Sequence, residues 1–168
     1  RFRTANGGDI RFQFERIGFS SKMNELEAAV GLGNLDIFSD ILEKKRRNLL
    51  SMIEKFQRFS AYLYTIKEEP YEKIGPHSFP IIVKEDAPFS RDNLVTHMEK
   101  SGIDTRNLFL SMPTQCRGFE YLNHGIGDFP NAEFMGTNGL HIGVHQDIGE
   151  EEIDYVMGTI EKFLTVTA

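Results

Sequence analysis

Between Asn24 and Phe59 the apolar residues return every three or four positions, through Leu35, Phe38, Ile41, Leu42, Leu49, Met52, Ile53, Phe56 and Phe59. That spacing is the period of an α-helix with a single apolar stripe. A strand turns its side chains over at every second residue and cannot use it. The chain is therefore organised around a long amphipathic helix, and everything else must fit against its stripe. Glu43, Lys44, Lys45, Arg46 and Arg47 form a solvated band between the apolar positions. The basic run in that band reads as a wet helix face rather than a nucleic-acid patch. A net charge of -6 also argues against a general nucleic-acid binder, which needs positive charge to displace counterions from phosphates. Gly31 and Gly33 are poor helix interiors and mark either a bend or a close helix contact.

After this helix the pattern becomes mixed. Residues 77–84 predict a strand, in which Pro80, lacking an N–H, indicates an edge position or a bulge. Residues 90–102 predict a helix with Ser90 as N-cap, Asp92 in the first turn, Leu94, Val95 and Met98 facing inward, and Gly102 as the stop. A short strand over 103–110 feeds a loop, followed by a short helix over 131–139 and a strand over 140–145. The chain closes on an amphipathic helix with Ile153, Val156, Met157, Ile160, Phe163 and Leu164 on one side and glutamates at its positive end. At the other terminus, Ile10, Phe12 and Phe14 alternate with polar residues beyond Asn6-Gly7-Gly8-Asp9, the pattern of a hairpin. The expected fold class is α/β, in the α+β sense: a small sheet covered by helices, one of them long. Residues 1–23 read as a hairpin and loop segment, and residues 24–168 as the domain proper. The chain starts on Arg1 already in strand-like composition, so it is expected to be a fragment. No apolar run is long enough to span a membrane, and no secretion signal stands at the start. With Cys116 as the one cysteine, no internal disulfide can form, and a reducing cytoplasm is the simplest compartment.

Several groups could carry chemistry. His141 and His145 have a metal-ligand spacing for a helix, but their surroundings are strand-like, which sets both on one face with no completing ligand nearby. The reading is therefore no metal, and a structural or substrate-facing role for these histidines. Cys116 has no recognisable base and carboxylate partner. Gly31-Leu32-Gly33 is not a dinucleotide fingerprint, because no third glycine follows and no strand precedes it. Ser20, Ser21 and Lys22, just before Asn24, either cap the long helix or hold a phosphate at its start. Arg106 emerges from a strand end into a loop with Ser111, Thr114 and Gln115, which suits a phosphate or a sugar as well as it suits a surface arginine.

The ordered succession "RIGFSSKMNELEAAVGLGNLD", "KKRRN", "SGIDTRNLF", "PTQ" and "FPNAEFMGTNGLHIGVHQDIGEEEIDYVMGTIEKF" resembles the C-terminal part of the DegT/DnrJ/EryC1/StrS family. These are fold-type I, pyridoxal-phosphate-dependent sugar aminotransferases, and the resemblance covers nearly the whole chain. It implies a small C-terminal domain joined through residues 1–23 to a large domain that carries the cofactor lysine upstream, so that no catalytic lysine lies in this chain. Ser20 and Lys22 then face the phosphate of pyridoxal 5'-phosphate, across a homodimer interface. Ser21, Thr105, Arg106, Gln115 and His145 fall on the substrate side. Serine at 20 and 21 and lysine at 22 replace the family's usual asparagine, aromatic residue and arginine. The implied partners are a nucleotide-sugar substrate and an amino-acid amine donor. A sister group with histidine in place of the lysine removes a sugar hydroxyl instead, and a non-catalytic binding or dimerisation module is the other alternative.

Overall fold

Helix α1 (Glu25–Phe56) begins where the sequence supplies a reciprocal cap: Glu27 N–H donates to the Asn24 side chain at 2.9 Å, and Asn24 N–H donates to the Glu27 carboxylate at 3.1 Å. This pairing satisfies two of the amides that a helix start leaves without partners. The computed structural model of the protein describes residues 22–108 and 113–167. The expected hairpin over 1–17, Ser20, Ser21 and Ser111 lie outside the described residues.

The chain divides into two compact units, 1–37 and 38–168. In the described part of the first, Leu26, Val30, Leu32, Leu35 and Ile37 are each more than half exposed. A Cβ built at Gly31 or Gly33 meets nothing within 4 Å, so these glycines answer no close helix contact among the described residues.

The second unit is built on a four-stranded antiparallel sheet in the order β1 (Leu63–Tyr64), β2 (Ser78–Val83), β4 (Gly139–Gly143), β3 (Arg106–Asn107). Phe79, Ile81 and Val83 of β2 and Leu140 and Ile142 of β4 point to one face and are buried. Against them pack Leu49, Met52 and Phe56 from α1, Leu94 and Met98 from α2 (Arg91–Lys100), and Ile153, Met157, Ile160 and Phe163 from α4 (Glu150–Thr167). Each such side chain contributes roughly 1.5–3 kcal/mol by leaving water. Phe56 sits at the middle, edge-on to Phe59 at 5.4 Å and to Phe79 at 5.2 Å between ring centroids. The apolar stripe thus divides: its C-terminal half is core, whereas Leu35 and Phe38 stay more than half exposed because no described element packs on them.

α2 follows the sequence closely. Ser90 caps it in a box with Asn93, Leu94 and Met98 are fully buried, and Gly102 ends it at φ +77°. β2 as a whole is an inner strand, but its ladder to β1 reaches only Ile82 and Val83, so Pro80 stands at a local edge on that flank. A residue's N–H and C=O leave a strand on the same side. The Pro80 carbonyl accepts from Thr65 Oγ1 at 2.8 Å, one residue beyond the end of β1, so the missing N–H faces a flank where no ladder runs. β1 itself was not anticipated, because two residues carry no periodicity.

Arg46 clamps the segment after β1 to α1. Its guanidinium grips both Glu68 carboxylate oxygens, and Glu68 also accepts the Ile74 N–H at 2.9 Å. The Arg46 hydrogen bonds, followed by that amide, lower the Glu68 carboxyl from an ordinary 4.5 to about 2. A carboxyl depressed on folding adds stability that is complete above pH 4.5 and is lost as pH falls towards 2. Acid melting curves are expected to fall less steeply across that window for Glu68→Gln than for the unaltered protein. Parallel curves would remove the clamp from the stability balance.

Candidate functional site

Lys22 lies two residues before the Asn24 cap, exposed, and takes no part in the cap itself. The amide-capping role at this helix start therefore falls to Asn24 and Glu27. Thr105 is buried just ahead of β3 and donates from Oγ1 to Glu99 at 2.8 Å, which ties the entry of the strand to the last turn of α2. Arg106 follows on β3, exposed and directly opposite His141 of β4.

Gln115 is half-buried in the loop after β3. Its amide donates at 2.6 Å both to the Gly125 carbonyl and to Glu133 on α3 (Pro130–Asn138). Glu133 also accepts the N–H groups of Gly127 and Phe129. These donors, the Gln115 amide first, hold its carboxyl below the usual range. Gln115 and Glu133 thus fold residues 115–133 into a fixed turn. Sequence reasoning singled out Gln115 but missed Glu133, whose signal was a carboxylate in the first turn of a helix opened by proline.

The two histidines part company. β4 ends at Gly143, so His145 is not in strand register with His141, contrary to the same-face expectation. His145 is exposed, and its Nδ1 accepts the Asp147 N–H at 3.3 Å. The same Nδ1 lies 3.4 Å from the Asp147 carboxylate, which ties the ring to its own loop. The backbone on either side is held from α1. Asn48, 2% exposed, donates from its amide to the carbonyls of His145 at 2.7 Å and Ile148 at 2.9 Å. Asn48 was also missed, although it stands at i, i+4, i+8 with the buried Met52 and Phe56 and is a polar interruption of the stripe.

His141 is half-buried, and burial is the first cause that lowers its pKa, followed by His77 and Arg106 nearby. Among the described residues no group of three His, Cys, Asp or Glu side chains could hold a metal ion. No described helix is long and apolar enough to cross a membrane. The sequence-derived residues of the second unit that are described, Thr105, Arg106, Gln115 and His145, therefore stand on separate supports: the α2 end, the β3–β4 ladder, the Glu133 turn and the Asn48 anchor.

The fold is that of one region of a larger class of enzymes. It superposes on the E. coli GDP-4-keto-6-deoxy-D-mannose-3-dehydratase with bound hydrated PLP at a TM-score of 0.74, with 24% identity, covering 94% of this chain and 40% of that one. Residues 3–161 match the DegT/DnrJ/EryC1/StrS aminotransferase family, and the chain belongs to that family. Similar relatives include the dTDP-4-dehydro-2,6-dideoxy-D-glucose 3-dehydratase of Saccharopolyspora spinosa, 29% identical over 94% of this chain and 34% of that protein. The dTDP-4-amino-4,6-dideoxy-D-glucose transaminase of Shigella dysenteriae is 28% identical over 87% of this chain and 39% of that protein. The chain thus spans between a third and two-fifths of the length of these relatives.

Proposed function

We propose that this chain is the small C-terminal domain of a pyridoxal 5'-phosphate-dependent aminotransferase that acts on a nucleotide-linked keto-sugar with an amino acid as amine donor. The family match over residues 3–161 is the observation that carries the reading. The whole protein then works in the cytoplasm as a homodimer, with residues 1–23 leading to a large domain that supplies the cofactor lysine.

Lys22 and Ser20 are the residues of this chain that would hold the cofactor phosphate. Lys22 fits the role: its ammonium is exposed and forms no ion pair among the described residues. When bound, the cofactor supplies the electron sink through which an amine passes from donor to acceptor. The remaining work of this chain is to bind and orient. Arg106 offers a planar two-pronged donor to an anionic group of the substrate. Ser21 and Gln115 complete the sugar side, Gln115 from a turn already fixed by Glu133, and Thr105 sets the start of β3. His145 offers its imidazole from a loop that Asn48 keeps in place.

A second reading, a nucleotide-sugar 3-dehydratase, is favoured by the relative of that name at 29% identity. Borohydride treatment of the full-length protein with pyridoxal phosphate separates the two. Covalent trapping on a lysine is expected for the aminotransferase, together with an amino-sugar product from keto-sugar and glutamate. Tight cofactor binding without trapping, and a deoxygenated sugar product, would move the assignment to the dehydratase. No cofactor binding at all would leave a non-catalytic module.

A further inference from the structure

The N-terminal half of α1 is apolar on two opposite sides. A helix turns about 100° per residue. Leu26, Val30, Gly33 and Ile37, spaced four, three and four apart, therefore fall on one side. Leu32 and Leu35 fall on the other. All five large side chains are 53–77% exposed. A helix with apolar residues on opposite sides belongs inside a larger body, and no single covering surface reaches both sides. The first side has the spacing of a two-helix seam. The β-branched Val30 and Ile37 take one class of seam position, and Leu26 and Gly33 take the other, a distribution that favours two strands. The seam stops at Asp40, which is paired with Lys44 at 2.8 Å. Leu26, Val30 and Ile37 leave roughly 350 Å² in water, near half of the ~800 Å² that each partner gives to a stable dimer.

We propose that this seam pairs with the same seam of a second copy of the protein, as a two-fold, antiparallel pair of helices. Gly33 decides the direction. A Cβ built there meets nothing within 4 Å, so its place on the helix surface is a notch. A parallel pair would set Gly33 against Gly33 and leave a gap at the centre, which close packing disfavours. In an antiparallel pair, Leu26 of one protomer meets Ile37 of its partner, and Val30 fills the notch at Gly33. The two-fold axis makes each of these contacts twice, and large against small at facing positions fills the layer. The flanks agree with this register: Glu27 comes beside Asn34 and Ala29 beside Asp36, so no two carboxylates face each other. The proposal rests on the reading of the whole protein as a homodimer, and it adds a surface by which the two copies meet.

Introduced cysteines in the full-length protein test it, with the exposed Cys116 replaced by serine throughout. Leu26→Cys and Ile37→Cys in one chain are expected to oxidise to a covalent dimer, well above the level of the Cys116→Ser parent. Each single variant should stay at the parent's level. Two copies of residue 26, or of residue 37, stand about 16 Å apart along an antiparallel pair, which is beyond the reach of a disulfide. Cross-linked single variants would mean a parallel pair and overturn the proposal. A double variant that stays at the parent's level would overturn it as well. Sedimentation gives a second readout without cysteines. Ile37→Glu and Gly33→Leu, the second filling the notch, are each expected to weaken the dimer by about tenfold or more. Unchanged dimer strength in both would count against the seam. A monomeric full-length protein that borohydride still traps on its cofactor would remove the pairing and leave the functional reading. Cross-linking of the double variant alone, without any cofactor binding, would do the reverse.

Discussion

Replacing Gly139 by alanine is expected to lower the stability of the protein by about 2–3 kcal/mol, the upper part of the range for forcing one extra group into a packed site. Gly139 follows directly on α3 and opens β4. A Cβ there would stand 2.3 Å from the Met135 carbonyl oxygen and 2.4 Å from the Leu108 side chain. Leu108 could rotate away, but the carbonyl belongs to the last turn of α3, so either the helix or the strand must move. Leu108 N–H donates to the Gly139 carbonyl at 3.1 Å, so the shift passes into the β3 edge and displaces Arg106 from its place opposite His141. Gly143, at the far end of the same strand, is the control: a Cβ there meets nothing within 4 Å. Gly143→Ala should stay within about 0.5 kcal/mol of the unaltered protein. Urea unfolding of the two variants side by side checks this, and equal midpoints would show that the α3–β4 junction yields freely.

The second large effect is expected at Asn48. Asn48→Leu keeps the volume but leaves the His145 and Ile148 carbonyls without their donor, a loss of about 2 kcal/mol. Asn48→Asp should be worse, at about 3 kcal/mol or more, because it sets a buried carboxylate against two carbonyl oxygens. The order matters more than the values. A protein that tolerates aspartate as well as leucine would mean that the amide nitrogen does not face these carbonyls. Hydrogen exchange should report the same event locally, as faster exchange at the Gly149 and Ile153 amides that begin α4.

How far the sequence revealed these features depends on the range of the interaction. Ser90, Leu94, Met98 and Gly102 define α2 through contacts within one or two turns, and each was legible from spacing alone, whereas the Asn93 half of the capping box was not. The stripe of α1 was legible as a helix, but Leu35 and Leu49 look alike in sequence and differ completely in burial. Periodicity states which face is apolar, not what lies opposite it. Asn48 acts on backbone groups at sequence separations of 97 and 100 residues, so residue type and local pattern gave it no weight. The succession of motifs showed the family and the fold class more readily than any single residue showed its role. Among the named site residues, Thr105 and Gln115 have internal partners that only three dimensions could assign.

The proline in β2 has a further consequence, for how the sheet meets other chains. An exposed strand edge is a template for pairing with a neighbour's backbone, and proteins blunt such edges to stay apart. Here β1 offers only Leu63 and Tyr64. A strand laid further along the flank would meet Pro80, which has no N–H to give, and a carbonyl already taken by Thr65. The interruption that looked like a flaw in a central strand is thus a stop signal against sheet growth from that side.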